Sequence, residues 1–537
     1  MSRPTFWWES GVVYQIYPRS FMDANGDGVG DLPGVVSKLD YLRWLRVDAV
    51  WLSPFYPSPM ADFGYDIADH CGVDPLFGEL ADFDELLEGA HRREIRVILD
   101  YVPNHTSDEH PWFVEARSSR QSPKRAWYIW ADPAPGGGPP NNWESIFGGG
   151  SWTWDEATRQ YYMHTFDTRQ PDLNWRNPEV REAMYGVLRF WLDRGVDGFR
   201  IDALSSLFKD EGLRDNPPNP DWRAGDPASQ RQHRVYTDDQ TEVLDVVRRM
   251  RSIADEYEGD RVLIGELYLP LGRLMRYYGT ELDGLHLPFN FGLVQIPEWS
   301  AGALESLVEE YEAALPEGAS PNWVLGNHDN PRLATRLGQA GTRVAQMLLL
   351  TLRGSPTCYY GDEIGMMDAE IPPEMTRDPQ GIHTPEYNRD PARTPMRWDD
   401  SPNAGFCPPD VEPWLPLPES DSANVRAQSQ DPRSTLSLVR RLIHLRHQTP
   451  ALEAGSYHPL NVGADGIFAY VRECGGQRVL AIFNLGPEAA TLDLSRSGPS
   501  GEVLCSTHLD RDGEVGLNSL GVRPDEGLLV SLSGISA

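Results

Sequence analysis

The chain is 537 residues long, 40% hydrophobic and carries 17 tryptophans, a composition that supports a large packed core and excludes a fibrous or disordered polymer. Its 48 Lys and Arg stand against 80 Asp and Glu, a formal charge of −32, which repels nucleic acid and anionic membranes and leaves a small neutral or cationic molecule as the expected partner. Five scattered cysteines (Cys71, Cys358, Cys407, Cys474, Cys505) show neither CxxC nor metal-finger spacing, the N-terminus has no apolar signal core, and no window of about 18 apolar residues occurs, so reduced thiols and a cytoplasmic location are expected.

"GVVYQIYP" (11–18) is the first predicted strand, and it leads into "DANGDGVGD" (23–31). There Asp23, Asn25, Asp27 and Asp31 bear side-chain oxygens, Gly28 permits a sharp turn and Val29 offers a carbonyl, matching the first five liganding positions of an EF-hand loop, although Gly34 stands at the twelfth. One structural Ca²⁺ site is expected, with Mg²⁺ under more water ligands as the alternative and a metal-free Asx-rich turn as the bland reading. Next come the strand "VDAVWLSP" (47–54), the helix "FDELLEGAHRREI" (83–95) and the strand "RVILDYVPNH" (96–105). Residues 105–171 are too many for a loop and, with "APGGGPPNNW" and "FGGGSW", indicate an inserted subdomain. The helix "NPEVREAMYGVLRFWLDRG" (177–195) opens on an Asn–Pro capping pair. Strands follow at "VDGFRID" (196–202), "RVLIGEL" (261–267), "LHLPFNF" (285–291), "NWVLGNHD" (322–329) and "PTCYYGDEIG" (356–365). A second excursion, 366–433, precedes the helix "STLSLVRRLIHLRH" (434–447), after which short strands such as "GIFAYVR" (466–472) and "RVLAIFNLG" (478–486) take over. Eight strand–helix alternations favour an α/β fold, a closed (β/α)₈ TIM barrel over 1–104 and 172–454, with an inserted subdomain at 105–171 after strand 3 and a C-terminal antiparallel β-sandwich domain at 455–537.

The C-terminal ends of barrel strands face the active site, and polar groups fall at those ends: Asn104 and His105, Arg200 and Asp202, Glu266, His328 and Asp329. One buried acid is ordinarily a structural ion pair. Three strands ending in acids, with His and Arg beside them, are hard to explain by packing. A cluster of carboxylates without metal-ligand spacing suits glycoside hydrolysis, in which one protonated carboxyl serves the leaving oxygen while an ionised one attacks or stabilises the sugar cation. Arg200 lies two residues before Asp202, on the same strand face, and is expected to hold that carboxylate ionised.

"DYVPNH", "GFRIDAL", "GELYL" and "NHDN" resemble, in order and spacing, the four signature regions of the α-amylase family, glycoside hydrolase family 13. "QPDLN" (170–174) and "RDPARTPMRW" (389–398) narrow the likeness to its α-glucosidase and oligo-1,6-glucosidase branch. The resemblance covers essentially the whole chain and also implies the calcium loop. It implies Asp202 as nucleophile, Glu266 as general acid and base, and Asp329 as the third carboxylate that stabilises the transition state, with retention of configuration and about 5–5.5 Å between the Asp202 and Glu266 carboxyls. His105, Arg200 and His328 match the family's subsite residues, as do Asp62 and Tyr65 in "DFGYD" and Arg389 and Arg393 in "RDPARTPMRW". Phe147 and Phe166 in the insertion are candidate pocket walls or local core. Ala203 stands where the branch often carries Thr in enzymes favouring α-1,4 bonds and Val in those favouring α-1,6 bonds, which leaves linkage preference open.

The expected activity is that of a retaining, exo-acting α-glucosidase on short, neutral α-glucosides, with some transglucosylation, in a monomer or weak homo-oligomer. The excursion near 213–227 is expected to close one end of the cleft. Glucosyl isomerases of the trehalose synthase or sucrose isomerase type share most of these motifs and are the alternative; a non-catalytic family member is disfavoured by the presence of all three carboxylates.

Overall fold

The computed structural model describes residues 6–223, 225–226, 228–417 and 423–533. Eight parallel strands close into a barrel: β1 (Val13–Ile16), β2 (Ala49–Leu52), β3 (Arg96–Tyr101), β4 (Gly198–Ile201), β5 (Val262–Gly265), β6 (Leu287–Asn290), β7 (Asn322–Val324) and β8 (Ser355–Tyr359). They are hydrogen-bonded in chain order, with β8 returning to β1. All eight predicted strands are present but shorter than their apolar runs, because each stops where its polar rim residues begin.

Alternation along these strands sorts the side chains. Tyr14, Val50, Leu99, Phe199, Leu263 and Trp323 point outward into the core shared with the helices. Val13, Trp51, Ile98, Ile264, Phe289 and Val324 fill the barrel interior. Two residues further along the same inward rows stand Gln15 on β1 and Asp100 on β3, while Arg200 on β4 lies level with Asp100 and with Ile264. The rows continue past the strand ends to Asp202 and Glu266, whose backbone N–H groups still donate to Tyr101 O and Ile201 O at 2.9 Å each. Gly198 begins the β4 row because a Cβ there would lie 2.3 Å from Val262 O.

The helix Pro178–Asp193 starts where predicted, the Asn177 side chain accepting from Glu179 N at 2.9 Å. Leu80–His91 begins and ends earlier than the predicted 83–95, since Asp82 accepts from Glu79 N and Glu94 turns the chain at φ 63°. Between β3 and Pro178 the inserted segment forms a three-stranded antiparallel sheet from Trp130–Ala131, Trp152–Asp155 and Gln160–Met163.

At the C-terminus a six-stranded antiparallel sheet carries Ile467, Ala469, Leu480, Ile482, Leu528 and Val530 on one face, packed against Leu492, Leu520 and Val522 of a two-stranded sheet. Its other face, with Phe468, Tyr470, Ala481 and Phe483, joins the barrel's core. Buried Arg472 ties the two together by donating to Thr351 O at 2.6 Å. Among the described residues the five cysteines are unpaired and no helix is long and apolar enough to cross a membrane.

Candidate active site

A pocket of about 530 Å³ opens over the C-terminal ends of the strands, and eleven of the thirteen predicted catalytic and substrate-contacting residues line it. Arg200 and Arg393, the other two, are fully buried and hold pocket carboxylates. A larger hollow of about 870 Å³, lined by Arg125, Trp130 and Phe208 beside the inserted segment, holds none of the predicted site residues.

Two ion-pair networks organise the pocket. In the first, Arg200 Nη1 donates to Asp100 Oδ1 at 2.7 Å and to Asp202 Oδ1 at 2.6 Å, and Nη2 pairs with Glu266 Oε1 at 2.8 Å. Glu266 Oε2 also accepts from Ala203 N at 3.0 Å. One guanidinium thus faces three carboxyls, and the expectation that Arg200 alone keeps Asp202 ionised needs correction. Burial raises the Asp202 carboxyl well above the usual carboxylate range; Arg200 opposes this, while Glu266 and Asp100 reinforce it. Asp100 is itself pushed up to about 6, again by burial against Arg200. The charge of Arg200 is divided, so the cluster as a whole holds protons more tightly than a single Arg–Asp pair would.

The second network has the opposite balance. Asp329 Oδ1 accepts from Arg389 Nη1 at 3.2 Å and Arg393 Nη2 at 3.1 Å. Against the upward push of burial, these arginines hold Asp329 below its ordinary range. His328 adds little charge, because burial drives its own pKa well below 6.5 and leaves the ring neutral. Arg389 Nη2 further donates to Asp62 Oδ1 at 2.7 Å and Asp378 Oδ1 at 2.6 Å. Asp62 is raised to about 6 by burial, which outweighs both arginines.

Neutral groups complete the floor. His328 Nε2 and Tyr65 Oη are 2.7 Å apart, Gln15 Nε2 lies 2.8 Å from His328 Nδ1, and Tyr65 Oη donates to Asp100 Oδ2 at 3.1 Å. His105, lowered to about 4 by burial, sits 3.1 Å from Gln170 Nε2. Phe147 and Phe166 are pocket walls: the Arg389 guanidinium lies 4.9 Å over the Phe147 ring, and Phe166 meets Phe147 and His105 edge-on. Ala203 borders Asp202 in a left-handed conformation, φ 45°.

Sequence reasoning missed Asp100, Asp378, Gln15 and Gln170 as parts of this machinery. Asp100 was legible, since it shares the inward row of Ile98 and pairs in register with Arg200. Asp378 was not, because nothing local says where an irregular excursion returns to the barrel.

The predicted metal donors all lie in one turn. Asp23 accepts from Gly26 N and Gly28 N at 2.6 and 2.9 Å, and Asp31 accepts from Gly34 N at 2.6 Å and Asn25 N at 3.1 Å. Asn25 and Asp27 accept from Asp27 N and Val29 N, each at 2.9 Å. Among the described residues no three Asp, Glu, His or Cys side chains converge as a metal cluster. What suits a hard cation here is the oxygen-rich composition of the loop, not a gathered ligand set.

The family described as alpha amylase, catalytic domain, matches residues 15–455. A probable alpha-glucosidase of Rhizobium meliloti (strain 1021) is 41% identical over 506 residues, 91% of each chain. The solved structure of XgtA, an alpha-glucosyl transfer enzyme, superposes with a TM-score of 0.90 at 43% identity, covering 99% of this chain and 100% of that one. The trehalulose synthase MutB from Pseudomonas mesoacidophila MX-45 gives 0.89 at 33% identity, with 99% and 100% covered. With its barrel, its acid-lined pocket and these relatives, the chain belongs to the α-amylase family, glycoside hydrolase family 13, and is a glycoside hydrolase of its α-glucosidase branch.

Proposed function

We propose that the protein is a retaining, exo-acting α-glucosidase that removes terminal α-linked glucose from disaccharides and short oligosaccharides, with transfer to an acceptor hydroxyl as a side reaction. The observation that carries this reading is the pair of carboxyls, Asp202 and Glu266, seated on adjacent nitrogens of one guanidinium across the pocket from Asp329. The protonated Glu266 carboxyl gives its proton to the glycosidic oxygen as Asp202 attacks C1, breaking the C1–O bond and forming a β-glucosyl ester. Glu266, now ionised, takes the proton of a water or acceptor hydroxyl that attacks C1 and releases Asp202, so two inversions yield net retention. Positive charge developing on the sugar supplies the cation that this carboxyl-rich cluster lacks, and strengthens the interaction in the transition state.

Exo action is supported by the Asp62–Arg389–Asp329 bridge, which ties one flank of the pocket together. The test is anomer-resolved NMR of products from maltose, isomaltose, sucrose and trehalose. Release of α-glucose is expected; β-glucose would reject retention. The kinship with a trehalulose synthase favours a second reading, isomerisation, which would show as conversion of sucrose to an isomer with little free glucose.

Calcium in the 23–31 loop, or magnesium in its place, is a separate proposal supported by the loop's oxygen content. A cytoplasmic location is supported by the five unpaired thiols. Small neutral α-glucosides as partners, without nucleic acid and in a monomer or weak homo-oligomer, complete the reading.

A further inference from the structure

Only two cations line the catalytic pocket, Arg389 and Arg234. Arg389 is consumed by three carboxylates. Arg234 is not: its Nη1 is buried and without a hydrogen-bond partner, and among the described residues its guanidinium has no carboxylate within ion-pair distance. A buried, unpaired guanidinium is destabilising unless something brought to it completes its hydrogen bonds.

Its position says what that is. Arg234 belongs to the excursion that follows β4, and its neighbours in the pocket wall are Ser205, Ser206 and Asp238, beyond Asp202 and Ala203 in the chain. The glucose-gripping groups, Asp62, His328, Asp329 and Arg389, come from other loops and are already bonded to one another. Two acids, Asp238 and Asp172, act on Arg234 through space without touching it, and Lys209 is paired to Asp172 at 2.5 Å. The surroundings therefore balance the charge of Arg234 while leaving its donors open. That combination suits a neutral ligand rich in acceptor oxygens better than an anion.

We infer that Arg234 is the specificity-determining residue for the leaving group, donating to vicinal hydroxyls of the second sugar in a neutral α-glucoside. The inference rests on the α-glucosidase reading and deepens it by assigning the aglycone subsite.

The experiment compares substrates with and without an aglycone to grip. kcat/KM is measured for maltose, isomaltose and α-glucosyl fluoride with the wild type, Arg234→Met and Arg234→Lys. Loss of charge-assisted hydrogen bonds is expected to lower the disaccharide-to-fluoride ratio of kcat/KM by about tenfold to a hundredfold in Arg234→Met, with partial recovery in Arg234→Lys. An unchanged ratio, including a parallel fall on all substrates as a merely structural role would give, overturns the inference while leaving the α-glucosidase reading intact. A wild type that turns over none of the three overturns both. Wild-type preference of more than about tenfold for a carboxylated aglycone over a neutral polyol one would overturn the assignment of a neutral ligand.

Discussion

Asp202 and Ala203 sit side by side at the end of β4 and answer to different physics. Asp202 is placed by strand alternation and bonded by Arg200 at 2.6 Å, so Asp202→Asn keeps shape and packing while removing the nucleophile. It is expected to melt within a few degrees of wild type and to lose at least about a thousandfold in kcat, checked by circular dichroism and α-glucosyl fluoride turnover; retained turnover would reject the role. Ala203 has φ 45°, a conformation that β-branched side chains tolerate poorly. Ala203→Val is expected to shift the ratio of isomaltose to maltose turnover and also to lose roughly 1–3 kcal/mol of stability, read from denaturant unfolding. A shift in neither linkage ratio nor stability would mean that this position senses neither the aglycone nor the backbone. At this scale the sequence was most informative: rim residues following an alternating strand have their direction set locally, and the thirteen predicted residues do gather around one pocket. Asp100 was the legible omission, an acid on an inward row.

The 23–31 turn shows how an element combines a local motif with a distant contact. Its carboxylates cap its own N–H groups, as the Asx-rich sequence suggests, but the turn also docks on the excursion after β8, with Trp414 N donating to Gly28 O at 2.9 Å. Gly28 has φ 89°, and a Cβ there would lie 2.2 Å from Glu412 O. Gly28→Ala is therefore expected to lower the melting temperature through both strain and displacement of the docked strand, by several degrees for about 2 kcal/mol; an unchanged melting temperature would mean that the contact yields freely. The calcium proposal is tested on the same element: scanning calorimetry with and without chelator is expected to show a lower melting temperature without the ion, and no change together with no metal by elemental analysis would reject it. The glycine at the turn was evident in sequence; the strand it packs against, nearly four hundred residues away, was not.

Across the whole molecule, burial shifts titrating groups in opposing directions. His70 is buried and its pKa falls to about 4, chiefly by desolvation. A depressed histidine contributes stability that is present above its unfolded pKa near 6.5 and is lost as pH falls through about 4. Asp62 and Asp100, both raised to about 6, contribute with the reverse sign, favouring the fold when protonated and withdrawing that contribution as pH rises from about 4 through 6. Overall stability against pH is a difference of these terms, so the informative measurement is a comparison: relative to His70→Phe, the wild type is expected to lose about 2–3 kcal/mol between pH 7 and 4, by urea unfolding at each pH. Parallel profiles would show that His70 titrates normally.

Periodicity and spacing by themselves determined the barrel, its insertion, the C-terminal sheet and the identity of the three carboxylates, because strand alternation and strand-end position are local properties that a chain carries wherever it goes. Tertiary structure alone decided how charge is shared. Arg200 serves Asp100 and Glu266 as well as Asp202, Asp378 competes for Arg389, and Arg234 is left with open donors. Those outcomes depend on distances between strands and loops far apart in sequence, and a Coulombic contact exists only once the fold has brought its partners within a few ångströms.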